Sequence, residues 1–473
     1  MGQKRIRFRL MAILLIVLLL VAGGYGIYTV STYSSRWFGN TGNTRYRAAR
    51  STVIPGDVLD RNGIVLASSD EAGKRIYNDD WYTRCAMVHI IGDPDRNIPN
   101  AVDSFQASYL WGFQTSLKER IQTLISGEKR RGDNVILTVD AQLQTKIAAA
   151  FASGENTRGK TGAVVVLNYR TGEILVLLSI PNFDPMGDLA EIGSRTGSPF
   201  WNRAVRSVQA PGSTFKIITA VSALQHLPGA ATKQFDCTTG ATKVLDQIIP
   251  DYGNGHHGMV TLSEAFRVSC NNTFAQAAMM IGDQDLRRTA EAFGFNDNFL
   301  FRDLVVENSV YPTENRNSAE VAWSGIGQSR VAATPLHMCM VASAIANEGI
   351  MMEPRMLLRV TSPTGIQRQS FTGKEYRTAC DPQYAARIES YMKDVVARGT
   401  GRSAAVEGLS IAGKTGSAES SMNNSDVTHA WFVGYIDEPE YPYAVCVLVE
   451  NGGTGGSVAA PLAKEIFTML TEQ

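Results

Sequence analysis

Ser213-Thr-Phe-Lys216, Ser269-Cys-Asn271 and Lys414-Thr-Gly416 stand in this order along the chain. A serine with a lysine one helical turn on places a hydroxyl and an amine on the same side of a helix, within mutual reach, as a nucleophile and its base require. A lysine followed by a hydroxyl and a glycine suits an anionic chain end: the cation and hydroxyl bind it, and the glycine lets its backbone come close. Together the three read as a serine acyl-transfer site. For Lys216 to act as a base near pH 7, its pKa must fall by about three pH units, roughly 4 kcal/mol of environmental bias. Burial and a second nearby cation push that way, and Lys414 is the cation the sequence offers.

Each motif also occurs a second time, in a setting that argues against catalysis. Ser126-Gly-Glu-Lys129 runs into Arg130-Arg131-Gly132-Asp133, a charged turn with no apolar face. Lys160-Thr-Gly162 precedes the other candidate serines and breaks the order. Ser421-Met-Asn423 lies in a polar stretch between Ser417 and His429.

The elements that must hold the favoured copies are readable. After Pro211-Gly212, the run from Ser213 to Leu224 is apolar on nearly every face, which predicts a buried helix with Ser213 in its first turn. A capping box would place Glu or Gln three residues after the serine, where this chain has Lys216. A cation there opposes the helix dipole, a local violation expected where function overrides folding preference. Leu409 to Ser417, His429 to Ile436 and Tyr443 to Glu450 predict three antiparallel strands. Val164 to Leu178 predicts a hairpin turning near Arg170-Thr171-Gly172. Val135 to Val139 predicts a strand, Asp140 an N-cap for a helix through Phe151, and Ala459 to Leu470 a closing helix.

With these motifs in place, the chain resembles a class B penicillin-binding protein, a monofunctional peptidoglycan D,D-transpeptidase; the motif set is one shared by penicillin-binding proteins and class A β-lactamases. The likeness extends through Gly56 to Ala67, Gly162 to Pro185, Asn202 to Lys216, Gly325 to Leu336, Gly413 to Glu419 and Val449 to Lys464. Cys270 fills the middle of the Ser-x-Asn element, and Ser417 follows Lys-Thr-Gly where a second threonine is common. Neither removes a required functional group. The resemblance implies an α+β penicilloyl-serine transferase fold of the β-lactamase and transpeptidase kind, a five-stranded antiparallel sheet flanked by helices. It also implies a small N-terminal pedestal domain and one transmembrane helix.

The chemistry implied by the resemblance is acyl transfer from a stem peptide ending in D-Ala-D-Ala. Ser213 attacks the penultimate carbonyl, Lys216 takes its proton, and the backbone N–H groups of Ser213 and Ser417 form the oxyanion hole. Ser269 relays a proton to the departing D-alanine, and Asn271 orients Lys216 and the peptide amide. Lys414, Thr415, Gly416 and Ser417 receive the terminal carboxylate. Peptidoglycan stem peptides, β-lactam antibiotics and a multi-spanning membrane glycan-strand polymerase are the partners the resemblance implies. Two other readings use the same motifs: a class D-like serine β-lactamase, and a non-catalytic sensor or scaffold for β-lactams or wall peptides.

With 473 residues, the chain has room for an anchor and two domains, while 45 basic against 45 acidic residues point away from nucleic acid. Leu10 to Val30 is about long enough to span a bilayer and follows Lys4, Arg5, Arg7 and Arg9, which predicts a single-pass anchor with its amino terminus inside. A cleavable signal peptide is the competing expectation, weakened because the apolar stretch runs past the small residues Ala22, Gly23 and Gly24. The expected organisation is a cytoplasmic tail at 1–9, an anchor at 10–30, a pedestal at 31–134 and an extracytoplasmic transpeptidase domain at 135–473. The pedestal stretch is richer in polar and turn residues and carries no chemistry of its own.

Six cysteines outside the cytoplasm could form disulfides. Cys270, Cys339 and Cys446 read instead as small core residues, and the state of Cys85, Cys237 and Cys380 is left open. His256 and His257 are adjacent and point apart, so no metal site is expected, and no organic cofactor.

Overall fold

A computed structural model describes residues 2–38, 53–113, 125, 129–315, 317–419 and 428–472. The helices used below are α1 (Gly2–Phe38), α2 (Ala141–Ser153), α3 (Lys216–His226), α4 (Leu262–Val268), α5 (Asn271–Ile281), α6 (Pro335–Ala346) and α7 (Ala460–Thr471). The strands are β1 (Thr161–Asn168), β2 (Ile174–Ile180), β3 (Ile411–Glu419), β4 (Thr428–Ile436) and β5 (Tyr443–Glu450). They form one antiparallel sheet in the order β3-β4-β5-β1-β2, as the sequence reading expects.

Successive side chains of a strand point to opposite faces, and here both faces are covered. Ala163, Val165 and Leu167 of β1, with Ala444, Cys446 and Leu448 of β5, belong to one core, which also takes in Leu336, Met340 and Ile345 of α6. Val164, Val166, Val445, Val447 and Val449 belong to the other, with Leu143, Ile147 and Phe151 of α2 and Ile466, Phe467 and Leu470 of α7. Burial on both sides is why these strands read as continuous apolar runs and not as alternating ones.

A second, six-stranded sheet is shared along the chain. Its order is Gln367–Ser370, Leu357–Thr361, Asn134–Leu137, Val58–Leu59, Val65–Ser69 and Arg75–Tyr77. Val58–Leu59 runs parallel to Asn134–Leu137, so segments on both sides of residue 134 are stitched into one unit. The buried Asp60 carboxylate reinforces this, accepting Asn62 N at 2.9 Å, Ile64 N at 2.8 Å and Ala141 N, at the start of α2, at 3.1 Å. Asp140 caps α2 through Leu143 N at 2.8 Å.

Within α1, Arg9–Val30 forms 22 residues of apolar helix with exposed side chains. At 1.5 Å per residue that is about 33 Å, enough by length and composition to cross a hydrocarbon core of about 30 Å.

Candidate active site

Ser213 does not open a regular α-helix. Gly212–Phe215 is a 3-10 turn that leads into α3 at Lys216. In that tighter winding, residues three apart eclipse, so Ser213 and Lys216 are stacked on one side. The turn is held from below: Gly212 N donates to Gly327 O at 2.9 Å, and Thr214 Oγ1 donates to Pro211 O at 2.7 Å. Gly327, with φ +75°, is required there, because a Cβ would lie 2.1 Å from Gly212 O. Alongside runs β3, the edge strand of the sheet, so close that a Cβ on Gly416 would sit 2.9 Å from Pro211 O. An edge strand keeps one row of backbone N–H and C=O groups free to receive another chain.

Ser269 and Asn271 reach the same place from the junction of two helices. Helix α4 starts with a capping box, Thr261 with Glu264, and ends at Ser269, which takes the left-handed conformation at φ 62°, ψ 35°. That conformation costs a non-glycine residue about 1–2 kcal/mol, and here it turns the chain so that α5 starts at Asn271. Lys216 Nζ donates to Ser269 O at 2.6 Å and to Asn271 Oδ1 at 2.7 Å, with Ser269 Oγ at 3.4 Å. These acceptors draw the amine, and no Lys216–Ser213 hydrogen bond occurs among the described residues. A catalytic contact of this kind often tightens only once substrate is bound.

From the other side, Lys414 Nζ donates to Ser269 Oγ at 2.8 Å and to Thr415 O at 3.0 Å. Each ammonium also faces an aromatic ring, Lys216 that of Phe274 at 5.4 Å and Lys414 that of Phe266 at 5.6 Å. Thr415 Oγ1 shares a hydrogen bond with Thr400 Oγ1 at 2.7 Å, and Ser417 Oγ accepts Gly455 N at 3.2 Å. All the residues singled out from the three motifs therefore converge where β3, the Ser213 turn and the α4–α5 junction meet.

Both lysines are fully buried. Burial lowers the Lys216 amine to about 8. It also holds Lys414 well below its ordinary value, with the neighbouring Lys216 charge as the second cause.

The second Lys-Thr-Gly copy lies elsewhere. Lys160 Nζ donates to Asn451 O at 3.0 Å and Thr161 Oγ1 to Glu450 Oε2 at 2.6 Å, which ties the start of β1 to the end of β5. Ser126 and Ser421-Met-Asn423 lie outside the described residues.

Sequence reasoning passed over Asp251. Its buried carboxylate accepts Asn271 N, Asn272 N at 3.3 Å and the Cys270 thiol at 3.1 Å, and so anchors the start of α5 behind the site. His257 Nε2 lies 3.7 Å from the same carboxylate. Side-chain atoms of Asp251, His257 and Cys270 lie within 4.8 Å of one another, a grouping of metal-ligand types that the adjacency of His256 and His257 does not reveal. Thr400, Gly327 and Gly455 were also missed as site supports, although Gly327 and Gly455 fall in two of the segments that carry the family resemblance.

With this geometry in view, the comparisons with known proteins are direct. A family profile described as penicillin binding protein transpeptidase domain matches residues 162–468. The chain belongs to the class B penicillin-binding proteins. It is 33% identical over 369 residues to the peptidoglycan D,D-transpeptidase PbpA of Mycolicibacterium smegmatis, covering 73% of this chain and 74% of that one. It is 30% identical over 386 residues to the peptidoglycan D,D-transpeptidase MrdA of Acinetobacter baumannii, covering 71% of this chain and 54% of the relative. Among solved structures, the imipenem acyl-enzyme complex of penicillin-binding protein A from M. tuberculosis superposes with a TM-score of 0.80 at 29% identity, covering 89% of this chain and all of that one.

Proposed function

We propose that this penicillin-binding protein is a serine D,D-transpeptidase that cross-links peptidoglycan stem peptides through a Ser213 acyl-enzyme, with release of D-alanine, and that β-lactams acylate the same serine. The observation that carries the reading is the pair of buried lysines meeting on one serine hydroxyl beside the Ser213 turn.

In this mechanism Lys216, in its neutral form, takes the Ser213 proton as the hydroxyl attacks the carbonyl of the penultimate residue. The N–H groups of Ser213 and of Ser417 on the edge strand receive the developing oxyanion. Lys414 is readied by its own burial: an arriving carboxylate supplies the negative charge the ammonium lacks, so binding raises its proton affinity as the substrate docks. Thr415 and Ser417 add hydroxyls to that contact. Ser269, bonded to both lysines, passes the proton to the leaving amine, and Asn271 fixes the direction of the Lys216 amine. The buried Asp251 carboxylate is engaged by Asn271, Asn272 and Cys270, which speaks against a role in activating hydrolytic water.

The anchor and the partner belong to the same proposal. Residues 10–30 hold the protein in the membrane with residues 1–9 inside, residues 31–134 act as the pedestal, and the transpeptidase domain faces outward beside a membrane glycan-strand polymerase. Release by a high-salt wash would contradict the anchor.

The deciding experiment is labelling with a fluorescent penicillin followed by mass mapping. The adduct is expected on Ser213, and Ser213→Ala should lose it while keeping the wild-type melting temperature. An adduct on another serine, or labelling that survives in the alanine variant, overturns the assignment.

A further inference from the structure

Behind the Ser269-Cys-Asn271 junction, two sulfurs that the proposed chemistry does not use lie against each other. Cys237 ends the short strand Phe235–Cys237, and Cys270 is the N-cap of α5. Both are fully buried, and their Sγ atoms are 3.0 Å apart. Non-bonded carbon atoms already rest at about 3.5–4.0 Å, so these sulfurs lie inside ordinary contact distance. Two thiolates on one tetrahedral zinc, with Zn–S of about 2.3 Å, would lie on the order of 3.8 Å apart, farther than they are here. A disulfide needs about 2.0 Å, a closure of roughly 1 Å.

We propose that Cys237 and Cys270 are joined by a disulfide that fixes the Ser269–Asn271 segment against the two lysines. The bridge would tie Cys270, which separates the two residues that contact Lys216, to a strand paired with Gly258–Val260. It forms by exchange with a disulfide donor outside the cytoplasm, before the fold closes over the sulfurs. The Cys237 thiolate attacks one donor sulfur and displaces the other as a thiolate. The Cys270 thiolate then attacks Cys237 Sγ of the mixed disulfide and expels the remaining donor sulfur. Two electrons and two protons leave with the donor as its dithiol. The effect on acylation rests on the transpeptidase reading; the cross-link itself does not.

The test uses the full-length protein solubilised without reductant. It is unfolded in iodoacetamide, then reduced, labelled with N-ethylmaleimide and mapped by mass, with zinc measured on the folded sample. Maleimide is expected on Cys237 and Cys270, and acetamide on Cys85, Cys339, Cys380 and Cys446. Acetamide on Cys237 and Cys270 overturns the bridge, and stoichiometric zinc with that result identifies a metal site instead. Dithiothreitol should slow penicillin acylation of the wild type several-fold, to the rate of Cys237→Ser, and leave that variant unchanged. A wild-type rate that does not move after mapped reduction overturns the positioning role even if Cys237→Ser fails to fold. Absence of any penicillin adduct would instead count against the transpeptidase reading and leave the thiol map standing.

Discussion

Lys414 reaches from the edge strand to the hydroxyl of Ser269, 2.8 Å from its Nζ, although 145 positions separate the two in the chain. The same hydroxyl lies 3.4 Å from Lys216 Nζ, so one serine links the lysine proposed as base to the lysine proposed to meet the substrate carboxylate. In the proposed mechanism, a carboxylate bound at Lys414 is thereby sensed by the group that accepts the Ser213 proton.

The pH dependence of acylation follows from the buried Lys216 amine. Its pKa is lowered to about 8, so the neutral form, proposed as the base, grows in as pH rises through that value. The acylation rate of the free enzyme is expected to climb between about pH 7 and 9, with an apparent pKa that belongs to the coupled lysine pair. Folding stability moves the same way: between about 8 and 10.5 the unfolded chain holds a proton that the folded chain has lost, so stability rises across that window. Lys216→Arg, which cannot give up its proton, should lose about 10²–10⁴ in acylation rate. A rate that falls over this range, measured by stopped-flow with a chromogenic cephalosporin, would show that the protonated lysine is the active form.

Lys414→Ala separates recognition from electrostatics. Removing a donor aimed at substrate charge typically costs about 10²–10³ in rate, and the loss here should concentrate on ligands that carry the carboxylate. A carboxylate-free analogue should be acylated at close to the wild-type rate. Equal loss on both ligands would mean that Lys414 acts chiefly through Ser269 and Lys216.

Gly327 tests the floor of the nucleophile turn. Alanine there combines a positive φ with a Cβ 2.1 Å from Gly212 O and 2.7 Å from Phe215 Cβ, so the turn must move. Gly327→Ala should cost at least about 2 kcal/mol in denaturant unfolding and abolish most penicillin labelling. Wild-type labelling in this variant would show that Ser213 is positioned without that support.

Legibility in the sequence tracked how locally each feature is determined. The five strands announce themselves because Val164, Val166, Val445 and Val447 are buried on one face and Ala163, Val165, Ala444 and Cys446 on the other. The buried helix behind Ser213 could be read for the same reason. Its opening 3-10 turn could not, since contacts with Gly327 and β3 shape it from far along the chain. Val58–Leu59 is a two-residue strand with no periodicity to detect, and only its pairing with Asn134–Leu137 reveals the shared sheet. Asp251, His257 and Cys237 belong to a stretch whose local pattern is that of an ordinary polar loop. Tertiary folding alone brings them behind Cys270, a residue whose burial was legible and whose neighbour was not.

Transpeptidase and hydrolase differ in what resolves the acyl-enzyme. The Asp251 carboxylate is tied to the backbone of α5 and to the Cys270 thiol, so it is not free to activate water. An acceptor amine brings its own nucleophile and needs only to lose a proton to a nearby base. The Ser213 acyl-enzyme should therefore persist in buffer, and a D-amino acid or stem-peptide amine should hasten its release with formation of the exchanged product. A donor thioester ending in D-alanine, followed by mass spectrometry with and without the amine, reads both rates. Rapid release of hydrolysed penicillin that ignores the amine would identify a β-lactamase, and rapid hydrolysis of the donor without exchange would identify a carboxypeptidase. Exchange that rises with amine concentration while hydrolysis stays slow is the outcome this site geometry predicts.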